Sequence, residues 1–149
     1  MKSMIEDVLE AFAGYPFGPP CTQDELDEAE WTLGHPLPEV LRDLYTSFDG
    51  FSGPTSAVFF YPLIRPRPFS DVTLVEQTLR LRFDDNFGNF FRHAVLFGDY
   101  GCGTSWGIRL DAPDQIFQWN PSDGEPHEIV GFDPLTDWLD QKQRYDALA

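Results

Sequence analysis

Two cysteines and three histidines are the side chains of this 149-residue chain best suited to covalent or metal chemistry. Cys102 stands in a glycine-rich run with Gly98, Gly101, Gly103 and Gly107. A thiolate there could attack a carbonyl carbon if His93 or His127 folded beside it as a base. The competing reading is a small packed thiol, and the spacing favours it. His35, His93 and His127 fall in separate predicted elements, and no pair has the spacing of metal ligands. His35 sits in a turn, where it suits the negative end of a helix dipole. His93 and His127 read as strand-edge residues. Cys21 follows Pro19 and Pro20 and reads as a loop residue.

The remaining candidates for chemistry weaken on inspection. Backbone N–H groups in the run 98–107 could cradle a phosphate. Yet this run leads from strand to strand, opens with Asp99 and has no lysine near it, so it matches neither a P-loop nor a dinucleotide fingerprint. Asp84-Asp85-Asn86 has metal-like chemistry but departs from calcium-loop spacing after its third position, and reads as a solvated loop. We therefore expect no catalytic residue, no metal and no cofactor. Aromatic rings beside carboxylates are a different matter. Trp31, Tyr100, Trp106 and Trp119, with Asp99, Asp111 and Asp114 at turns, have the composition of a surface for a basic partner. The rings supply desolvated contact and the acids steer the approach. The alternatives are core packing for the tryptophans and a solvated rim for the acids, with Asp123 and Glu125 belonging to the same rim.

Composition narrows the partner. Ten basic against 25 acidic residues leave a net charge of −15. Such a surface repels nucleic-acid phosphate and anionic lipid, so neither nucleic acid nor membrane is expected. Hydrophobic residues at 42% exclude a mainly disordered chain, and the length suits one domain over 1–149. No apolar run reaches the ~18 residues of a membrane helix. Met1 to Asp7 has no apolar signal region. The expectation is a cytoplasmic protein with reduced thiols.

The elements that must position these residues are legible in part. Ser3 with Glu6, and Thr22 with Glu25, have the form of capping boxes. The first opens a helix with Ile5, Val8, Leu9 and Phe12 inward. The second opens a helix with the stripe Leu26, Ala29 and Leu33, closed by Gly34; Trp31 lies off that stripe. Pro38 suits the first position of a third helix carrying Val40, Leu41, Leu44, Tyr45 and Phe48. Ala57 to Tyr61 reads as a buried strand. Residues 71–83 are ambiguous: a helix capped by Ser70, with Val72, Val75 and Leu79 inward, is favoured, while Val72, Leu74, Leu79, Leu81 and Phe83 partly fit strand alternation. A meander follows: 94–97, 105–110, 116–119 and 127–130 as strands, then a helix capped by Asp133 with Leu135, Trp138 and Leu139 inward. This predicts an α+β domain, a mainly antiparallel sheet of about four to six strands with helices on one side.

This order of elements resembles the SUKH superfamily, the domain of the yeast cell-wall synthesis regulators and of many bacterial immunity proteins. Glu30, Leu33-Gly34, Leu37-Pro38 and Leu44 match its signature. Phe48-Asp49-Gly50 departs from the Asn-Gly-Gly that often ends it. The run Leu96 to Gly103, the strand pair after it and the closing helix led by Phe132 extend the resemblance over roughly residues 22–140. The resemblance implies a non-catalytic protein-binding domain. Most sharply, it implies an immunity protein neutralising a cognate bacterial toxin, often a basic nuclease. The alternative is a regulatory scaffold of the yeast type. A cysteine hydrolase built on Cys102 is the third reading, and thiol titration separates it.

Overall fold

A computed structural model describes residues 3–101, 103–112, 116–123, 127–129 and 133–148. The chain order is α1 (Met4–Ala11), α2 (Gln23–Leu33), α3 (Glu39–Ser47), α4 (Leu74–Arg82), α5 (Gly88–Phe91), β1 (Ala94–Asp99), β2 (Ser105–Arg109), β3 (Ile116–Trp119), β4 (His127–Ile129) and α6 (Pro134–Ala147). The strands form one antiparallel sheet in the order β1-β2-β3-β4. The α+β class expected from the sequence holds. Among the described residues no helix is long and apolar enough to cross a membrane.

The N-terminal helices start and stop where their side chains dictate. Ser3 Oγ accepts from the Glu6 N–H at 3.2 Å. At α2 the box closes in both directions: Glu25 N–H donates to Thr22 Oγ1, and Thr22 N–H donates to Glu25 Oε1. Gly34 ends α2 at φ 75°, a left-handed position that glycine adopts without strain. The Glu30 side chain then fastens the turn. Its Oε2 accepts from the Leu37 N–H at 2.6 Å and from Arg42 Nη2 at 2.6 Å. Pro38 caps α3 one residue earlier than expected, and the helix begins at Glu39.

Several expectations need correction. Leu9 faces outward rather than into the core. Thr73, not Ser70, caps α4. The Ser70 hydroxyl is used in a local turn with Val72, whose side chain is exposed rather than inward; Val75 is buried and Leu79 packs on the core as expected, joined by Leu74, Thr78 and Leu81. The segment 57–61 is not a ladder strand, so the upper end of the expected strand count is not reached. It seals the outer side of β1 through two bonds, Tyr61 N–H to Phe97 O at 2.7 Å and Asp99 N–H to Val58 O at 3.0 Å. Gly98 permits this approach. A Cβ there would stand 1.9 Å from the Phe59 carbonyl oxygen. Helices on one side is also too simple: Ala94, Val95, Leu96 and Phe97 are all buried, so both faces of β1 are covered.

Two aromatic groups fill the interior. Phe12, Phe17, Phe48, Phe59 and Trp138 all meet the ring of Phe51, at centroid distances from 4.9 to 5.9 Å. Phe60 joins them through Phe48, Trp138 and Tyr45. The second group sets α5 on the sheet: Phe90 and Phe91 against Phe117, and Phe87 and Phe91 against Trp119. Asp49 is buried beneath α3. Its Oδ1 accepts from the Leu63 N–H at 2.7 Å, and its Oδ2 from Arg67 Nη2 at 2.7 Å. It thereby ties the end of α3 to the 62–67 loop, more than the helix stop that Asp49-Gly50 suggests in sequence.

Candidate functional site

The structure disperses the sequence-predicted site residues. Trp119 is only 5% exposed, packed between Phe87 and Phe91, and so leaves the candidate surface. Trp106 and Tyr100 are half-buried against each other, and Tyr100 also packs on Phe59. The Tyr100 hydroxyl donates to Asp137 of α6. Burial, then that carboxylate, pushes its pKa well above the usual phenol range. Asp99 accepts from the Tyr61 hydroxyl at 2.6 Å and from the Gly101 N–H at 2.8 Å, so it organises the turn after β1. Asp111 is exposed and held by Arg109, Nε to Oδ1 and Nη2 to Oδ2, both at 3.0 Å. Asp114 lies outside the described residues.

Register explains why the acids do not converge. Asp99 pairs with Ser105, while Ala94 pairs with Arg109. Asp99 and Asp111 therefore belong to opposite ends of β2, a separation of about 13 Å at a strand's rise per residue.

The candidates for covalent and metal chemistry fare no better. Cys102 and the His127 side chain lie outside the described residues. His93 is exposed at the start of β1, at the other end of that strand from Asp99. Cys21 is a buried free thiol. Burial first, and then Asp49, push its pKa well above the ordinary thiol range, so it stays protonated and unreactive. Asp84 holds the turn before α5, its Oδ1 accepting from Asn86 N–H and Phe87 N–H. Among the described residues no group of three or more His, Cys, Asp or Glu side chains could hold a metal ion.

Trp31 is different. It is 87% exposed on the outer face of α2. It borders an open groove of about 500 Å³ with Asp27, Glu30, Gly34, His35 and Pro36. Helical spacing puts Asp27 and Glu28 one turn back on the same face, and a helical side chain leans over the turn that precedes it. The indole is therefore set beside carboxylates. His35 closes the groove, its Nδ1 2.8 Å from the Pro36 carbonyl oxygen. The groove floor is the turn that Glu30 fastens, so a rigid element carries the exposed ring.

That turn is also where the sequence carries its family signature. A model described as the SMI1 / KNR4 family (SUKH-1) matches residues 20–141. The chain belongs to this family. Comparison with curated proteins finds no match. Within the SUKH chain, Glu30, Leu33-Gly34 and Leu37-Pro38 act together: a left-handed helix end, a carboxylate bonded to the turn and a proline that fixes the next helix. The sequence reading assigned folding roles to Gly34 and Pro38 and missed that of Glu30. The Arg42 that pairs with Glu30 lies 12 residues on, and no local pattern shows it. Phe83, 84% exposed after α4, was also missed.

Proposed function

We propose that this SUKH domain is an immunity protein that binds a basic toxin domain, often a nuclease, and blocks its active site without chemistry of its own. Family membership supports a non-catalytic, protein-binding role. The observation that carries the partner's charge is the outer face of α2, with Trp31 exposed beside Asp27 and Glu28 on a chain of net charge −15. Tryptophan is enriched among residues that dominate binding energy, and carboxylates around it accelerate encounter with a cationic partner. An acidic body also mimics the polyanion on which a nuclease acts.

Co-expression with any toxin-like genes encoded beside it tests the reading. Growth rescue together with a complex that survives gel filtration is the expected result. No rescue and no complex with any of them would overturn it. A stable complex with a cellular enzyme instead would move the protein to the regulatory-scaffold reading.

A further inference from the structure

We infer that the Trp31 groove is an arginine pocket, in which a guanidinium from a basic partner protein lies flat on the indole and donates to Asp27. This rests on the binding role proposed above and adds to it the side chain that the partner inserts.

The indole is 87% exposed, and Asp27 lines the same cavity one helical turn before it. Ring and carboxylate are therefore neighbours on one face of α2. The floor beside them is bare backbone at Gly34, where an added Cβ would meet no atom within 4 Å. His35 and Pro36 complete the lining. A flat group can thus reach the indole face without displacing a side chain. Glu30 shares the cavity but is committed, its Oε2 holding the Leu37 N–H and Arg42 Nη2 at 2.6 Å each. Glu30 fixes the floor, and Asp27 is left as the carboxylate open to a ligand.

Charge selects the occupant. The five acids of α2, together with buried Asp49, meet three guanidiniums, those of Arg42, Arg65 and Arg67. Asp27 is in ion-pair contact with none of them; its Oδ1 accepts from the neutral Gln23 amide at 2.8 Å. Arg42 feels the Asp27 charge through space, but its N–H bond goes to Glu30. Arg82, at the end of α4, is turned onto the carbonyls of Leu33 and Phe91. An excess of carboxylate around an open aromatic face selects a cation. Arginine fits better than lysine. Its planar guanidinium stacks on an indole while its edge donates to a carboxylate, whereas an ammonium is a compact, strongly hydrated charge. A second copy of this chain fits poorly, because α2 carries no base and two such faces would meet with like charges.

The test uses the full chain and a capped Gly-Arg-Gly tripeptide, with lysine and citrulline counterparts, read by amide and indole chemical shifts. The arginine peptide should bind in the millimolar range and shift the Trp31 indole and the amides of residues 27–35. The lysine peptide should bind several-fold more weakly, and the uncharged citrulline peptide more weakly still. Affinity for the arginine peptide should fall about tenfold in Trp31→Ala and several-fold in Asp27→Asn, and Trp31→Phe should keep part of it. Thermal melts of these variants should be nearly unchanged, because both side chains are exposed. Equal affinity for arginine and lysine peptides, no shifts, shifts elsewhere, or unaltered binding in Trp31→Ala would overturn the inference. So would a concentration-dependent dimer that Trp31→Ala abolishes, since the occupant would then be a second copy. Growth rescue retained in the Trp31→Ala, Asp27→Asn double variant would remove this pocket and leave the immunity role standing. Absent rescue by the parent chain, with the peptide pattern intact, would do the reverse.

Discussion

Phe51 and Trp31 show how one kind of side chain takes two roles in the same molecule. Phe51 is fully buried and meets five other rings, from α1, the 17 and 59 segments, the end of α3 and α6. Trp31 rises from a helix whose core stripe, Leu26, Ala29 and Leu33, is already complete without it. The first ring contributes cohesion. The second contributes nothing visible to the fold and stands ready for a contact from outside. Carboxylates divide in the same way. Asp49 is buried and bonded to Leu63 and Arg67, whereas Asp27 lies along the outer groove. Residue type therefore says little about role; the element beneath it decides.

The contrast can be broken most sharply at its inner end. Phe51→Ala should cost about 3–5 kcal/mol of unfolding free energy in a denaturant titration, since it opens a cavity that five rings line. A loss below about 1 kcal/mol would mean that the aromatic group collapses readily and is not the organising core. Asp49→Ala should come next, at about 2–4 kcal/mol, because it leaves the Leu63 N–H without its acceptor and the partly buried Arg67 guanidinium with only the longer contact to Glu25. The matched change Asp27→Ala, on the outer groove, should stay within about 0.5 kcal/mol. Trp31→Ala should likewise leave stability within about 0.5 kcal/mol while removing the tryptophan emission most accessible to iodide.

The smallest effect concerns pH. The Arg109 fork holds the Asp111 carboxyl below its usual range. A folded pKa lowered in this way stabilises the native state above the carboxyl range of the unfolded chain, near pH 4, and the gain disappears as pH falls through the folded value. The pair is exposed, so the gain at pH 7 should be at most a few tenths of a kcal/mol. Melts of the parent and Asp111→Asn, compared at pH 7 and pH 2, should differ at the first pH and converge at the second.

What could be read from the sequence was local. Thr22 with Glu25, and Gly34, are contacts within a few residues, and both stand where spacing places them. Trp31 was legible because a helical wheel needs only the helix. Trp119 misled because its cover comes from α5, a four-residue helix without periodicity, preceded by an Asp84 turn that resembled a metal motif. The 57–61 segment has the composition of a buried strand, and it is buried. Its partners, Phe51 on one side and β1 on the other, decide how it bonds, and neither is visible in its own residues. The exposure of Phe83 escaped notice because its position depends on where α4 ends and on Arg82 reaching across 49 residues to Leu33.

The seal that 58–61 places along β1 also governs self-association. A sheet's terminal strand ordinarily offers a row of open amides and carbonyls on which another chain can template itself. Here backbone groups at Phe97 and Asp99 are already engaged by Tyr61 and Val58, and Gly98 draws the cover too close for an intruding strand. A bulkier residue at position 98 would push that cover away and open the edge of β1 to strands of other chains.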